Sequence, residues 1–275
     1  MADTTAHAIT FEGDFKGPVG LQLWSVREYT RDDVAGTVAK VHRMGFREVE
    51  LAGTYGMKAA AFRQVLDEAG LQATSMHTGY DRFRDSLEVV LDEAEALGPR
   101  YLGVAWIPHE GDEPFTDEMA RQAADHFNTW GAAAKERGLQ FFYHVHGYEF
   151  RPGADGSTPF DAMVAATDPE AVQYEMDVFW VKHSGTDPAA LLRKYPDRWA
   201  LMHIKDMKQG TPTGDYSGGA PAETDVPVGT GQIDYSSVLQ AARDAGVARY
   251  YIEDESTDPL ESIPQSIAFL ETVTF

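Results

Sequence analysis

The feature that most constrains the fold of this chain is a strict alternation of short apolar runs with longer amphipathic runs. Runs such as LQFFYHV and WALMHIKD have the length and composition of buried β-strands, whereas runs such as RDDVAGTVAKVHRMGF carry apolar residues at helical spacing and end near a glycine. The alternation repeats eight times along the chain. Repeated strand–helix units imply parallel strands that are joined by right-handed crossovers. We therefore predict an α/β fold.

The predicted elements divide the chain evenly. The predicted strands are 19–25, 48–53, 71–77, 101–108, 139–145, 172–179, 199–206 and 249–255, and the predicted helices are 31–46, 58–70, 86–98, 117–138, 159–167, 188–195, 235–246 and 259–273. Eight units in 275 residues fit a closed (β/α)8 TIM barrel, a single domain over 1–275 with 1–17 as an N-terminal extension. The competing open sheet would need a glycine-rich GxGxxG turn after the first strand, where this chain has LWSVRE.

Composition excludes several classes of function. The formal net charge is 23 − 44 = −21, which disfavours nucleic acid and anionic membranes as partners. The chain has no cysteine, so a disulfide framework, a thiolate metal site and a cysteine nucleophile are excluded. The N-terminal sequence lacks the basic and apolar regions of a signal peptide, and no run approaches about 18 consecutive apolar residues. We expect a cytoplasmic protein without a membrane segment.

Ionisable side chains stand at the ends of five or more predicted strands, which is where barrels of this kind place their chemistry. Such groups are costly to bury unless they pair or bind something. Four of them, one on each of the fifth to eighth strands, suggest a single divalent metal ion: His144, Asp177, His203 and Glu253. Two imidazoles and two carboxylates suit Mn²⁺, Co²⁺, Fe²⁺ or Zn²⁺ better than Mg²⁺ or Ca²⁺. We rank Mn²⁺ first and keep Mg²⁺ as a candidate. For each of the four residues taken alone, the alternative to metal binding is an ordinary hydrogen bond.

Further residues at the same strand ends are candidates for catalysis and substrate binding. His146 shares a strand face with His144 by the i, i+2 rule, and we interpret it as a substrate or proton-transfer residue. Lys205 could hold a substrate oxygen or pair with Asp177 or Asp206. Glu149 is a second base, an alternative metal ligand or a solvated loop acid. The candidate substrate contacts are His77, Trp24, Trp106 and Trp180. Core packing or a plain hydrogen bond is the alternative for these four. Glu50 is a weaker candidate, because an inter-strand hydrogen bond is favoured for it.

The segment 208–232 is a long loop with six glycines and no helical pattern. Long loops on the carboxyl-end face of a barrel usually act as lids. We expect this loop to border the active site or to contribute to contacts in an oligomer.

Seven motifs follow the chain in order: GLQLWSVRE, GFREVELAG, FYHVHGYEF, YEMDVFWVKHSG, LMHIKDMKQG, VGTGQIDYSSVL and YYIEDES. Together they resemble the sugar phosphate isomerase/epimerase group of xylose-isomerase-like TIM barrels, over most of residues 18–273. The resemblance implies a divalent metal with Asp177, His203 and Glu253 as ligands. The fifth-strand ligand of the epimerases is usually a glutamate that is also a base. Here that position is His144, as in inosose-dehydratase-like members, and the chain is also similar to the keto-glycoside lyase branch. Trp180 stands where the epimerases often have histidine.

The resemblance also implies a chemistry: proton abstraction next to a carbonyl, with the metal stabilising an enediolate. A two-base epimerase needs a second base besides Glu253, and His144 or His146 would have to supply it. We predict an enzyme, with a metal-dependent carbohydrate isomerase or epimerase as the first hypothesis. The alternative is a lyase or dehydratase that performs an elimination on a keto-sugar or 3-keto-glycoside with the same metal site.

Two other classes share this barrel. DNA-repair endonucleases of the superfamily need more metal ligands and a basic face, which the net charge of −21 disfavours. A non-catalytic sugar-binding barrel would bind no metal. The expected partner is therefore a small sugar or glycoside, with a non-phosphorylated one favoured because no basic cluster marks a phosphate site. A homo-oligomer is compatible with the sequence.

Overall fold

The computed structural model describes residues 8–109 and 113–275. Within these ranges, eight parallel strands form a closed barrel, and the last pairs with the first, so the predicted (β/α)8 barrel is confirmed. The barrel strands are β1 (Val19–Gln22), β2 (Glu48–Ala52), β3 (Gln72–His77), β4 (Tyr101–Val104), β5 (Gln140–His144), β6 (Val172–Asp177), β7 (Trp199–Ile204) and β10 (Arg249–Ile252). Two short antiparallel strands, β8 (Asp206–Met207) and β9 (Asp225–Val226), pair with each other in a separate small sheet.

At least one helix follows each barrel strand. The helices are α1 (Arg27–Thr30), α2 (Val34–Arg43), α3 (Ala59–Ala69), α4 (Tyr80–Leu97), α5 (Asp117–Glu136), α6 (Pro159–Ala166), α7 (Val178–His183), α8 (Pro188–Lys194), α9 (Tyr235–Asp244) and α10 (Pro259–Thr272). Local sequence explains their ends: Thr158 and Asp161 form a capping box at the start of α6, and Gly70 ends α3 with φ 76°. Among the described residues, no helix is both long and apolar enough to cross a membrane.

Several predicted boundaries were wrong at the strand ends. The predicted strands 19–25 and 172–179 each turn into a helix, since a 3-10 turn (Leu23–Val26) and α1 follow β1, and α7 follows β6. A short apolar run does not distinguish a strand from a buried helix, because both bury every side chain. Helix α4 begins six residues before its predicted start and continues across a kink at Ser86, where φ and ψ are −152° and 43°.

The inner layer of apolar side chains explains why the predicted site residues lie in one layer at the carboxyl ends of the strands. Phe142, Leu201 and Tyr251 belong to a small buried cluster, separate from the large core that includes the helices. Side chains two residues apart on a strand face the same way, so each of these three lies directly beneath a predicted site residue at position i+2. The barrel is therefore closed by an apolar layer, and ionisable groups occupy the next layer towards the carboxyl ends.

Asp206 anchors the long loop 208–232, which we call the lid. Its buried carboxylate accepts hydrogen bonds from the backbone N–H groups of Met207, Gly229, Gly231 and Ile233, at 2.8–3.2 Å. The pairing of β8 with β9 closes the loop at the same place. The loop thus has a defined path over the carboxyl ends of the strands.

We expect Asp206→Ala to lower the free energy of unfolding by about 2–4 kcal/mol, because four backbone N–H groups would lose their acceptor. Urea denaturation measures this change. Asp244→Ala is the matched control, because Asp244 is exposed and lies 3.8 Å from Arg243 in a surface pair; its expected effect is below about 1 kcal/mol. Equal losses in the two variants would contradict the anchoring role.

Candidate active site

The four predicted metal ligands converge at the carboxyl ends of β5, β6, β7 and β10, and all four are buried. The Nδ1 atom of His203 lies 3.3 Å from Oε2 of Glu253 and 3.7 Å from Oδ2 of Asp177. The Nε2 atom of His144 lies 3.9 Å from the same Asp177 oxygen. Ligand atoms that share one ion at ordinary bond lengths are separated by about 3–3.5 Å, so small side-chain shifts would bring this set onto a metal.

An unpaired oxygen lies at the centre of this set. Oδ1 of Asp177 accepts a hydrogen bond from the backbone N–H of Trp180 and begins α7. The buried Oδ2 atom has no hydrogen-bond partner among the described residues. Buried carboxylate oxygens are rarely left unpaired, because their desolvation is costly. The four residues therefore fit a divalent cation, and this oxygen would be one of its ligands.

Both histidines have their second ring nitrogen bound to a carboxylate. Nδ1 of His144 lies 2.9 Å from Oε2 of Glu175, and Nε2 of His203 lies 2.5 Å from Oε1 of Glu50. A histidine that donates one N–H to a carboxylate keeps its other nitrogen as a lone-pair donor, which is the usual arrangement around protein-bound metals. Nε2 of His144 and Nδ1 of His203 are thereby oriented as ligands.

A second group of donor atoms overlaps the predicted ligand set. The group consists of His77, His144, Glu175 and His203, whose donor atoms lie within 4.8 Å of one another, like those of Asp177, His203 and Glu253. The members are already joined by hydrogen bonds, since Glu175 accepts from both His77 at 2.8 Å and His144 at 2.9 Å. We therefore interpret His77 and Glu175, the two members that are not predicted ligands, as the support of the metal ligands.

Charge and burial shift the pKa values within this support. Burial lowers the pKa of His77, but the carboxylates of Glu50 and Glu175 raise it to about 10, so His77 carries a positive charge. Burial and the nearby Glu50 carboxylate raise the pKa of Glu175 to about 7. The support therefore places one positive imidazolium ring, that of His77, beside the carboxylates of Glu50 and Glu175.

Lys205 lies beside the ligand Glu253. Its Nζ atom is 3.3 Å from Oε2 of Glu253 and 3.7 Å from Oδ2 of Asp225, and it also pairs with Glu255. These partners replace the Asp177 and Asp206 pairs that the sequence suggested. Burial lowers the pKa of the ammonium, but the three carboxylates hold it well above its usual range. Lys205 is therefore a fixed positive charge next to the metal ligands.

His146 lies beyond the end of β5, which stops at His144, so the strand-face argument does not place it. Its ring is nevertheless 4.7 Å from that of His144 and between Trp106 and Trp180, at 5.4 and 5.7 Å. Its Nδ1 atom is buried and has no partner within the described part of the chain. Burial lowers the pKa of His146 to about 4, so the ring is neutral.

Glu149 was predicted as a base or ligand, but the structure places it away from these groups. Its carboxylate accepts hydrogen bonds from the Tyr143 hydroxyl and from the backbone N–H of His146, at 3.1 Å for the latter. Tyr143 is on the opposite face of β5 from His144 and packs against Phe127 of α5. Burial raises the pKa of Glu149 to about 7. We therefore leave this residue out of the proposed site.

A cavity of about 870 Å³ opens directly above the ligands. Lid residues 218–222 and 224–225 form part of its wall. The residues from the sequence prediction that line it are Trp24, His77, Trp106, His144, His146, Trp180, Lys205 and Glu253. His77 and the three tryptophans that were predicted as substrate contacts thus face one space, which the loop borders, whereas Glu50 does not line it.

Comparison with known proteins identifies the family. Residues 38–273 match the model of the xylose isomerase-like TIM barrel family. The chain belongs to this family. An inosose dehydratase from Lacticaseibacillus casei is 28% identical to this family member over 245 residues, which cover 80% of this chain and 81% of that protein. The predicted family and the prediction of an enzyme are confirmed.

Two solved structures show the same fold. A sugar phosphate isomerase/epimerase from Parabacteroides distasonis has a TM-score of 0.76 at 22% identity and covers 94% of this chain and 96% of its own. An IolI protein with a bound zinc atom has a TM-score of 0.68 at 12% identity and covers 92% of this chain and 94% of its own. At these identities the likeness supports the xylose isomerase-like barrel itself.

Sequence reasoning missed Glu175, the residue that orients His144 in this xylose isomerase-like barrel. The signal was present in the motif YEMD, where Glu175 precedes Asp177 by two positions and shares its strand face. Glu50 was expected to make an inter-strand hydrogen bond, and it does so with Gln22 of β1 at 2.7 Å and with His203 of β7.

Proposed function

We propose that this protein is a metal-dependent lyase that removes an oxygen substituent β to the carbonyl of a keto-sugar or keto-cyclitol, with dehydration as the simplest case. One observation carries the choice of elimination over epimerisation. Only one cavity imidazole, that of His146, is unpaired within the described residues, whereas His144 is bound to Glu175 and Glu253 is bound to Lys205. One free base suffices for elimination, and a two-base epimerase needs two. The inosose dehydratase relative supports the same choice.

The metal would be held by His144, Asp177, His203 and Glu253. A divalent ion bound there supplies Lewis-acid polarisation of the substrate carbonyl oxygen. The zinc atom bound in the structurally similar IolI protein supports a divalent ion in this barrel. Manganese as the metal, a cytoplasmic location and a homo-oligomer remain predictions.

The protein's own side chains account for the remaining steps. His146 accepts the proton from the carbon next to the carbonyl, and the electron pair of that C–H bond forms the new C=C bond. The C–O bond on the next carbon then breaks, and the proton leaves with the departing oxygen as water or an alcohol. The Lys205 ammonium holds Glu253 in place and donates a hydrogen bond to a substrate oxygen. His77, Trp24, Trp106 and Trp180 would contact the substrate, whose ring is enclosed by the lid.

The test is incubation of the metal-loaded protein in D₂O with an inosose and with methyl 3-keto-glucoside, followed by NMR and mass spectrometry. We expect an unsaturated ketone that is lighter by one water or one methanol. Deuterium uptake or a new epimer without loss of a group would contradict elimination and favour an isomerase or epimerase. Turnover of neither substrate type, with metal bound, would contradict both activities on keto-sugars.

A further inference from the structure

The cavity is larger than one sugar ring requires. A volume of about 870 Å³ is in the range of sites for drug-sized ligands. His146 and Lys205 mark its catalytic end, where a keto-sugar ring would be held. Trp24 and Trp106 are its most exposed aromatic residues, with 46% and 38% of their surface accessible. Aromatic side chains that stay exposed at the mouth of a cavity commonly mark a binding surface.

Trp106 is a preformed platform rather than a mobile side chain. The ring stacks on His109 at 5.0 Å and 19°, and its edge contacts are with Tyr148 at 4.9 Å and His146 at 5.4 Å. The lid backbone packs against it as well, because a Cβ atom built on Gly218 would lie 2.9 Å from the ring. A ring held from several sides loses little conformational entropy when a ligand stacks on it.

The segment that carries Trp106 and the lid segment that packs against it contribute few side chains that form hydrogen bonds to the cavity. Ala105 and Pro108 flank the segment of the tryptophan, and the lid contributes Gly-Gly-Ala-Pro-Ala at 218–222. A second sugar ring would leave several hydroxyl groups unpaired against such a wall, which is costly once they are desolvated. A planar aromatic ring needs no such partners and gains from stacking.

Trp24 is a poorer platform for the same ring. The guanidinium group of Arg27 lies 4.9 Å from its ring centroid, so its covered face meets a charge, whereas that of Trp106 meets another aromatic ring. Its indole N–H donates to Glu255 at 2.9 Å, so the ring is part of a polar group at the mouth. This leaves Trp106, with lid segment 218–222, as the better platform for an aromatic ring.

We propose that Trp106 and lid segment 218–222 form a subsite for an aromatic aglycone, so that the substrate is a keto-glycoside whose leaving oxygen carries an aromatic group. This inference rests on the proposed elimination. In such a substrate the carbonyl is at C3, the proton leaves C2, and the C1–O bond breaks to release the aglycone as an alcohol. Atoms and electrons balance without any further reactant.

Benzyl and methyl 3-keto-β-glucoside test the subsite, because their leaving alcohols have similar acidity and differ mainly in the aromatic ring. We expect the metal-loaded protein to show a kcat/KM about tenfold higher for the benzyl compound, equivalent to about 1.4 kcal/mol of extra binding. Trp106→Ala should reduce this benzyl-to-methyl ratio at least fivefold, whereas Trp106→Phe should keep most of it. The ratio cancels any effect of the change on His146, which acts on both substrates.

Val89→Ala is the control, because Val89 is an exposed apolar side chain that does not line the cavity; its ratio should match that of the unaltered protein. Trp106→Leu, which keeps the site apolar without a planar ring, replaces Trp106→Ala where the latter fails to fold. Equal kcat/KM for the two glycosides, or an unchanged ratio in both non-aromatic variants, would overturn the subsite and leave the elimination intact. Failure of the proposed function has a different signature: neither glycoside releases its alcohol, while deuterium enters at C2.

Discussion

Asp177→Asn is expected to abolish tight binding of a divalent metal and to lower kcat/KM by more than about 10²-fold, since loss of a supporting residue alone costs about 10–100-fold around protein-bound metals. Oδ2 of Asp177 is the unpaired oxygen between His144 and His203. Asparagine would keep the Oδ1 bond to the Trp180 N–H and would replace Oδ2 by an NH₂ group, which does not bind a cation. The helix cap is thereby preserved while the ligand is lost.

Elemental analysis after dialysis and calorimetric titration with Mn²⁺ and Zn²⁺ measure the effect. Asp187→Asn is the matched control, because Asp187 caps α8 through the N–H groups of Ala189 and Ala190 and does not line the cavity. The control should bind one equivalent of metal and keep its activity within about twofold. A full equivalent of metal in Asp177→Asn would show that the ion is bound elsewhere.

The barrel and the candidate ligands could be predicted from sequence for the same reason. A strand that is buried on both faces is almost entirely apolar, so a charged residue at its end stands out and its position in the barrel follows from the strand number. Asp177, His203 and Glu253 each follow such a run, and their donor atoms lie within 4.8 Å of one another. The position of a charged residue at the end of an apolar run therefore predicts which side chains lie close together in the barrel.

The supporting carboxylates could not be assigned in the same way. The strand register shifts between Val49 and Glu50 and again between Tyr174 and Glu175. Irregularities of this kind change which residues lie side by side on neighbouring strands, and one-dimensional alternation does not reveal them. Alternation places Glu50 and Glu175 on a strand face but gives no distance across the barrel, so their histidine partners became visible only in three dimensions.

The loop after β5 was the least predictable part of the site. The backbone leaves the strand at His144, and Gly147 has φ 94°, a conformation that glycine adopts without strain. The turn carries His146 to the cavity and Glu149 to the outer layer, where the Tyr143 hydroxyl binds it. Strand alternation would place His144 and His146 on one face. The two rings are indeed neighbours, but the turn after β5 brings them together, because the strand ends at His144.

His146→Gln is expected to lower kcat by about 10²–10⁴-fold, the usual contribution of a general base, while leaving metal content unchanged and KM within a few-fold. His146 faces the cavity with an unpaired ring between Trp106 and Trp180, and glutamine keeps a polar side chain of similar size that does not accept a proton. Steady-state kinetics with methyl 3-keto-glucoside measures the loss, and exchange of the C2 proton in D₂O should slow by the same factor.

His42→Gln is the control for this experiment, because His42 lies on α2 outside the cavity and its replacement should leave kcat within about twofold. A His146→Gln protein that retains kcat within tenfold would assign the base to another group. Loss of metal from the same protein would instead make His146 a ligand. If elimination slows while C2 exchange keeps its rate, the proton removed from C2 goes to a different residue, and His146 acts on the departing oxygen. The proposed mechanism requires the two rates to fall together, because one imidazole takes the proton in both reactions.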